Sequence, residues 1–192
     1  MAIPTTALSD FKSALTYGGA RPSLFDFTVT AAPGAVSASL SDVNLYCNVS
    51  ALPGMTLTPI ERQYFGRTVK IPGDIVFADL TTTIINTESF NVRNEIEKWM
   101  EHINSTRSNY GQATTGSVTN FGTGSAKLVH YRKDGKKTMT YEFTDIWPTT
   151  LSEIALSYDT ASDIEQFDVT WAYNYFTTPL TDGVAQSYSL NQ

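Results

Sequence analysis

The residues that could do chemistry in this chain are few and scattered. Its 192 residues include one cysteine and two histidines. Cys47 lies in the polar stretch 44–50, and a thiolate nucleophile there would need a base that the neighbouring sequence does not supply. His102 falls near the end of a helical pattern and His130 falls in a strand pattern beside Tyr131. Neither sits in a spacing that metal sites use, and a single cysteine makes no internal disulfide. Six carboxylates crowd the last third: Asp145, Glu153, Asp159, Asp163, Glu165 and Asp168. A facing pair could perform glycosidase-like acid–base work, with Asp145, Glu153 and Asp168 as the set to test. A solvated acidic loop is the simpler reading. The glycine-rich stretch 111–124 lacks the Lys-Ser/Thr of a phosphate loop. The positive cluster Arg132-Lys133-Asp134-Gly135-Lys136-Lys137 reads as a hairpin end that resists edge pairing. Two triplets, Asn48-Val49-Ser50 and Asn104-Ser105-Thr106, fit the glycosylation pattern without a secretion signal to give it meaning. No residue is assigned a catalytic, cofactor-binding or metal-binding role, and the better expectation is binding or assembly.

The elements that would carry these residues are mostly strands. Phe25, Phe27 and Val29 alternate with polar positions, as do Phe167, Val169, Trp171, Tyr173 and Tyr175. Strands are also expected over 60–71, with Tyr64 and Phe65 at the middle, and over 75–85. Pro72-Gly73-Asp74 punctuates the two. A hairpin is expected around Asp134-Gly135 with a type I′ turn. Asp145-Ile146-Trp147-Pro148 reads as a break. One helix is expected over about 88–103, because Val92, Ile96, Trp99, Met100 and Ile103 form a single stripe. Asn86 or Thr87 would cap it. Residues 1–22 read as a leader with a short helix, 36–60 as an extended loop or ribbon, 105–124 as a flexible loop, and 177–192 as a polar tail.

Composition narrows the class. Thr and Ser supply 44 residues, charged residues only 17%, and the formal net charge is −6 with a pI near 4.8. Aromatic and β-branched residues are too many for a disordered chain. No apolar run approaches the roughly 18 residues of a membrane span. Met1–Asp10 does not read as a signal peptide. The acidic balance argues against a protein that grips phosphates. The sum is a mainly β, antiparallel sandwich or barrel-like domain over 23–176 with one flanking helix.

Two stretches resemble the tail tube proteins of contractile-tailed bacteriophages. The first runs from Ile71 through Gly73, Asp74, Phe77 and Asp79 to Asn86 and on into the helix. The second joins Trp147-Pro148 to the acidic turn and the strand carrying Phe167 and Trp171. Arg21–Phe25 and Ala51-Leu52-Pro53-Gly54 fit the same family. The resemblance spans residues 20–176. It implies a structural subunit and no enzyme: hexameric rings that stack into a hollow tube inside a contractile sheath and conduct DNA into the host. It further implies sheath, baseplate and tail-terminator partners, no cofactor, no membrane insertion, a place in the virion tail, and assembly in the host cytoplasm. Tubes of secretion and extracellular contractile injection systems share the fold and form the alternative reading. Leu52, Pro53, Gly54 and Met55 would then lie at a contact between subunits. The helix would pack outside the barrel. The leader, the 105–124 loop and the tail depart from the family core.

Overall fold

The computed structural model describes residues 8–15, 18–33, 40, 42–108, 111, 122–160 and 163–179. Chain order is α1 (Leu8–Ala14), β1 (Phe25–Ala31), α2 (Val43–Tyr46), β2 (Cys47–Ser50), β3 (Met55–Tyr64), β4 (Arg67–Phe77), β5 (Leu80–Ile85), α3 (Asn91–Ile103), β6 (Gly124–Tyr131), β7 (Lys137–Leu151), β8 (Gln166–Ala172) and β9 (Tyr175–Thr177). Seven strands join in the order β1-β6-β7-β8-β5-β2, with β9 also on β7, and β3-β4 stand apart as a two-stranded ribbon. Every pairing is antiparallel. This is the mainly β, barrel-like architecture expected from the alternation.

One strand serves two sheets. The first part of β7 pairs with β6 and β9, and Trp147–Leu151 pair with β8. The turn between the two happens at Asp145, which has φ +55°. Its carboxylate accepts from Thr123 Oγ1 (3.2 Å) and from Asn174 Nδ2 (2.9 Å). Asn174 lies where the chain leaves β8 for β9, so one carboxylate pins both sheet crossings. The expected break at Trp147-Pro148 is therefore a bend inside a continuous 15-residue strand. Proline is tolerated there because the register shifts between Pro148 and Thr150. The last strand likewise divides into β8 and β9 around Tyr173 and Asn174.

The core is aromatic at its centre. Trp171, Trp99 and Phe27 are buried, with ring centroids 5.8 and 5.9 Å from Trp171. Trp171 Nε1 donates to Thr82 Oγ1 (2.9 Å), and Trp99 Nε1 donates to the Gly122 carbonyl (2.6 Å). Both buried indoles are thus satisfied. Helix α3 supplies Val92, Ile96 and Trp99 to this core. The helix begins at Asn91, three residues later than the spacing suggested, because Phe90 takes the left-handed conformation (φ +52°) ahead of it. Asn86 and Thr87 do not cap it. Asn86 donates to Glu165 (2.9 Å) and Thr87 bonds Ser89 (3.0 Å).

Two other local expectations are corrected. The Asp134-Gly135 loop is not a type I′ turn. Gly135 donates to the Arg132 carbonyl (3.0 Å), and only Gly135 has positive φ, which makes a three-residue loop closed by a left-handed glycine. Residues 43–50 form a helical turn and β2, not an extended ribbon. Most of the 105–124 loop and of the 177–192 tail lies outside the described residues.

Candidate assembly surface

Nothing among the described residues gathers three metal-ligating side chains. Burial, with Asp26 adding to it, pushes the Cys47 thiol up to about 12, which is the opposite of nucleophile activation. His130 Nε2 contacts the Arg21 carbonyl (2.9 Å). Of the three carboxylates proposed for glycosidase chemistry, Asp145 holds the strand bend. Asp168 accepts from Thr83 Oγ1 (2.7 Å) across β5 and β8. Glu153 is exposed on the loop after β7. Asp145 and Asp168 thus accept hydrogen bonds from side chains of neighbouring segments, which ties those segments together.

The unusual surface is the ribbon. From Met55 to Val76 every residue except Gly73 is exposed. Met55, Leu57, Ile60, Tyr64, Phe65, Val69, Ile71, Ile75 and Val76 are all large hydrophobics in contact with water. Its tip is the two-residue loop Phe65-Gly66, with Tyr64 paired to Arg67. Both loop residues have positive φ (+45° and +76°), the geometry that matches strand twist in a hairpin. Glycine takes it freely. Phe65 takes it against its Cβ, and its ring stands 91% exposed, edge-on to Tyr64 at 4.6 Å.

The register assigns side chains to two faces. Leu57 pairs with Ile75 and Pro59 with Pro72, so Thr58 alone faces Gly73 and Asp74. A Cβ on Gly73 would lie 2.5 Å from the Thr58 carbonyl and 2.9 Å from Ile60, so this bulge requires glycine. One face carries Met55, Leu57, Pro59, Phe77, Ile75 and Pro72 near the root, then Glu61, Lys70, Gln63 and Thr68 toward the tip. Those distal polar groups satisfy each other: Lys70 pairs with Glu61 (3.3 Å) and Gln63 donates to Thr68 (3.0 Å). The opposite face is apolar toward the tip, with Ile60 across from Ile71, Val69 across from Arg62, and Tyr64. The two faces therefore present apolar patches at different heights.

The ribbon is clamped where it leaves the body. Ala78 N–H donates to the Gly54 carbonyl (3.1 Å), and the Tyr173 hydroxyl donates to the Ala78 carbonyl (2.7 Å). Burial, then the Asp79 charge, pushes the Tyr173 hydroxyl up, which keeps it a donor. Phe77 packs edge-on against Phe176 (5.4 Å). Leu52 and Met55 are exposed and Pro53 half-buried at this root, so the residues expected at the end of an extended 36–60 segment instead flank the base of a 55–77 ribbon.

The remaining motif residues separate by role. Pro148, Phe167 and Trp171 are buried, Trp147 is half-buried, and Arg93 lies over the Phe167 ring at 5.3 Å. Gly73 and Asp74 belong to the ribbon's bulge, and Asp79 is exposed beside its root. Sequence reasoning missed Ile60, Phe65, Val69 and Ile71 as surface residues, because it placed the middle of a strand where the ribbon turns. Gly66 was the available signal: it follows one alternating run and precedes another.

Among the described residues, the barrel-like body leaves the long ribbon exposed from Met55 to Val76, with Gly73 alone half-buried. The chain belongs to the phage tail tube protein family, whose model matches residues 19–179. It is 28% identical over 158 residues to the tail tube protein gp19 of Enterobacteria phage T4, covering 82% of this chain and 90% of that protein. The gp19 of Enterobacteria phage T6 matches to the same extent. Among solved structures, the fold resembles the tube-terminating cap of the anti-feeding prophage (TM-score 0.61, 15% identity, 94% of this chain and 100% of that one). It also resembles a chain of the sheath–tube complex of the extracellular contractile injection system PVC (TM-score 0.56, 15% identity, 92% and 99%). The chain is thus a structural protein of the phage tail.

Proposed function

We propose that this protein forms hexameric rings that stack into the hollow tube of a contractile tail, inside a sheath, and that the tube conducts DNA into the host. The observation that carries the reading is the ribbon: apolar on both faces and exposed from Met55 to Val76. Such a surface on a soluble monomer is an aggregation site unless a defined neighbour covers it. In a ring and stack the cover is another copy, and a heterologous contact that closes makes the ring. Leu52, Pro53, Gly54 and Met55 lie at the ribbon root and become a contact between subunits on assembly. The sheath, the baseplate and the tail terminator meet the ends and outside of the tube. The subunit is assembled in the host cytoplasm and performs no catalysis.

The electrostatics suit a passive conduit. At −6 per copy, six copies carry a formal −36, and a lumen of that sign repels phosphates weakly. Negative-stain microscopy of the purified protein tests the assembly. Rings or tubes are expected. Monomers alone, at every concentration tried, overturn the proposal. The 28% identity to phage tail tube proteins favours a phage origin over an injection-system tube. Neighbouring capsid and terminase genes are the check.

A further inference from the structure

The charges of this chain are separated along one strand. From Thr138 to the C-terminus there is no Lys or Arg, while eight Asp and Glu fall in that stretch. Just before it, the loop between β6 and β7 carries Arg132, Lys133, Lys136 and Lys137 around a single Asp134. All of residues 132–137 are exposed. Strand β7 runs from Lys137 to Leu151: Arg132, Lys133 and Lys136 precede it and Lys137 opens it, Glu142 and Asp145 lie within it, and the other six carboxylates follow it. A strand of that length spans about 45 Å before its bend is counted. The two clusters lie at opposite ends of β7.

The acidic end is also apolar. Between β7 and β8 a shallow cleft of about 400 Å³ is lined by Ala155, Leu156, Ser157, Tyr158, Asp163 and Glu165. Leu156, Tyr158 and Ile164 are strongly exposed there. Arg93 reaches this end from α3, but its guanidinium is committed to the Ser152 carbonyl (3.1 Å) and to Glu97 (3.1 Å).

We infer that the cleft between β7 and β8 receives the basic β6–β7 loop of a second copy of this chain. The fit is chemical on each point. Lys133, Lys136 and Lys137 meet Glu153, Asp159 and Asp163. The guanidinium of Arg132 stacks on the open face of the Tyr158 ring, and the aliphatic stems of the lysines cover Leu156. Because the donor loop and the receiving cleft are two different surfaces, at the two ends of β7, the contact is heterologous, head-to-tail, and repeats from copy to copy. It is separate from the ribbon. It deepens the tube reading and rests on it for its setting, naming a second pair of surfaces through which copies meet.

Charge reversal tests it. One variant carries Lys133→Glu, Lys136→Glu and Lys137→Glu; the other carries Glu153→Lys, Asp159→Lys and Asp163→Lys. All six positions are exposed or flanked by exposed loop, so unchanged circular dichroism and melting are expected. Each variant alone is expected to need about tenfold more protein to assemble at low salt, with the difference fading near 1 M salt as screening shortens to about 3 Å. Mixed in equal amounts, the two restore association, because each reversed loop meets a reversed cleft. Sedimentation of the mixture reads this even where no tube is visible. If neither reversal changes assembly, or the mixture behaves as its components do, the contact is overturned while the tube reading stands. If the parent makes no tube but the mixture associates, the contact stands and the tube reading falls. Assembly lost only when sheath protein is present assigns the basic loop to the sheath and overturns the inference.

Discussion

Strands β8 and β4 look alike on paper and live in opposite surroundings. Strand β8 alternates apolar and polar residues throughout, and β4 does so over Thr68–Ile71. In β8 the apolar set Phe167, Val169 and Trp171 is buried. In β4 the apolar set Val69, Ile71, Ile75 and Val76 is exposed. Alternation states that a strand will have an apolar face. It does not state which molecule covers that face. For β8 the cover is α3, β1 and the rest of the body. For β4 nothing among the described residues serves, although the ribbon is well formed: its register is regular on both sides of one bulge, and its root is clamped by two hydrogen bonds. An isolated two-stranded hairpin is marginal in water. The ribbon's build makes sense if its stability is completed on assembly.

The body half of this comparison breaks at Trp171. Truncation to alanine removes the ring that Phe27 and Trp99 both touch, and leaves Thr82 Oγ1 buried without its donor. A loss of about 3–5 kcal/mol is expected, read by denaturant unfolding, with the ribbon unable to compensate. The next largest effect is at Asp145. Alanine there loses two hydrogen bonds while the backbone stays at φ +55°. About 1–3 kcal/mol is expected. Asp145→Asn keeps one acceptor oxygen and suits positive φ, so it recovers part of that loss. Equal melting of the alanine variant and the parent would mean that the carboxylate does not hold the crossing.

Legibility in the sequence follows the same division. The body strands and α3 are readable because burial enforces period. Phe25–Val29, Phe167–Trp171 and the stripe Val92, Ile96, Trp99 each mark their covered side. The ribbon was misread because its apolar residues obey no such constraint. Tyr64 and Phe65 sit side by side at the tip, where the sequence pattern predicts the middle of a strand. Pro72-Gly73-Asp74 resembled punctuation, yet the chain passes through it within β4, since Gly73 lets the Thr58 carbonyl approach. The Asp145 bend carried no signal either. A left-handed aspartate is specified by Thr123 and Asn174, which are 22 and 29 residues away. The family was legible as resemblance, through Gly73–Asp79 and Trp147-Pro148, while the exposed 55–77 ribbon itself was not.

A smaller effect lies at the junction of the two regions. Cys47 begins β2, the strand that leads into the ribbon. Its thiol is raised from 9.0 to about 12 by burial and by Asp26. A group raised in the folded state contributes stability that is fully present below pH 9. That contribution drains away as pH climbs from 9 toward 12, because the unfolded thiolate ionises first. The parent is expected to lose stability over that window more steeply than Cys47→Ala. The two tyrosines with raised hydroxyls, Tyr131 and Tyr173, add the same slope to both proteins. At pH 8 a thiol reagent should label folded Cys47 far more slowly than unfolded chain. Parallel slopes for parent and variant would remove the thiol from the account.

The smallest expected effect on the monomer is also the sharpest test of the comparison. Ile60 and Ile71 face each other on the distal apolar side of the ribbon, each about half exposed. Serine at both positions removes little that is buried within the subunit, so monomer stability should change by no more than about 0.5 kcal/mol per site. The same change in β8, at Val169, would cost several times that, since Val169 is fully buried. If another copy covers the distal face, the Ile60→Ser, Ile71→Ser protein keeps the parent's melting temperature as a dilute monomer and loses tube formation. A drop in monomer stability comparable to that at Val169 would place the cover inside the subunit and erase the distinction between β4 and β8. Unchanged assembly would leave the distal face a free surface, and the ribbon would then act through its root face, at Met55, Leu57 and Ile75.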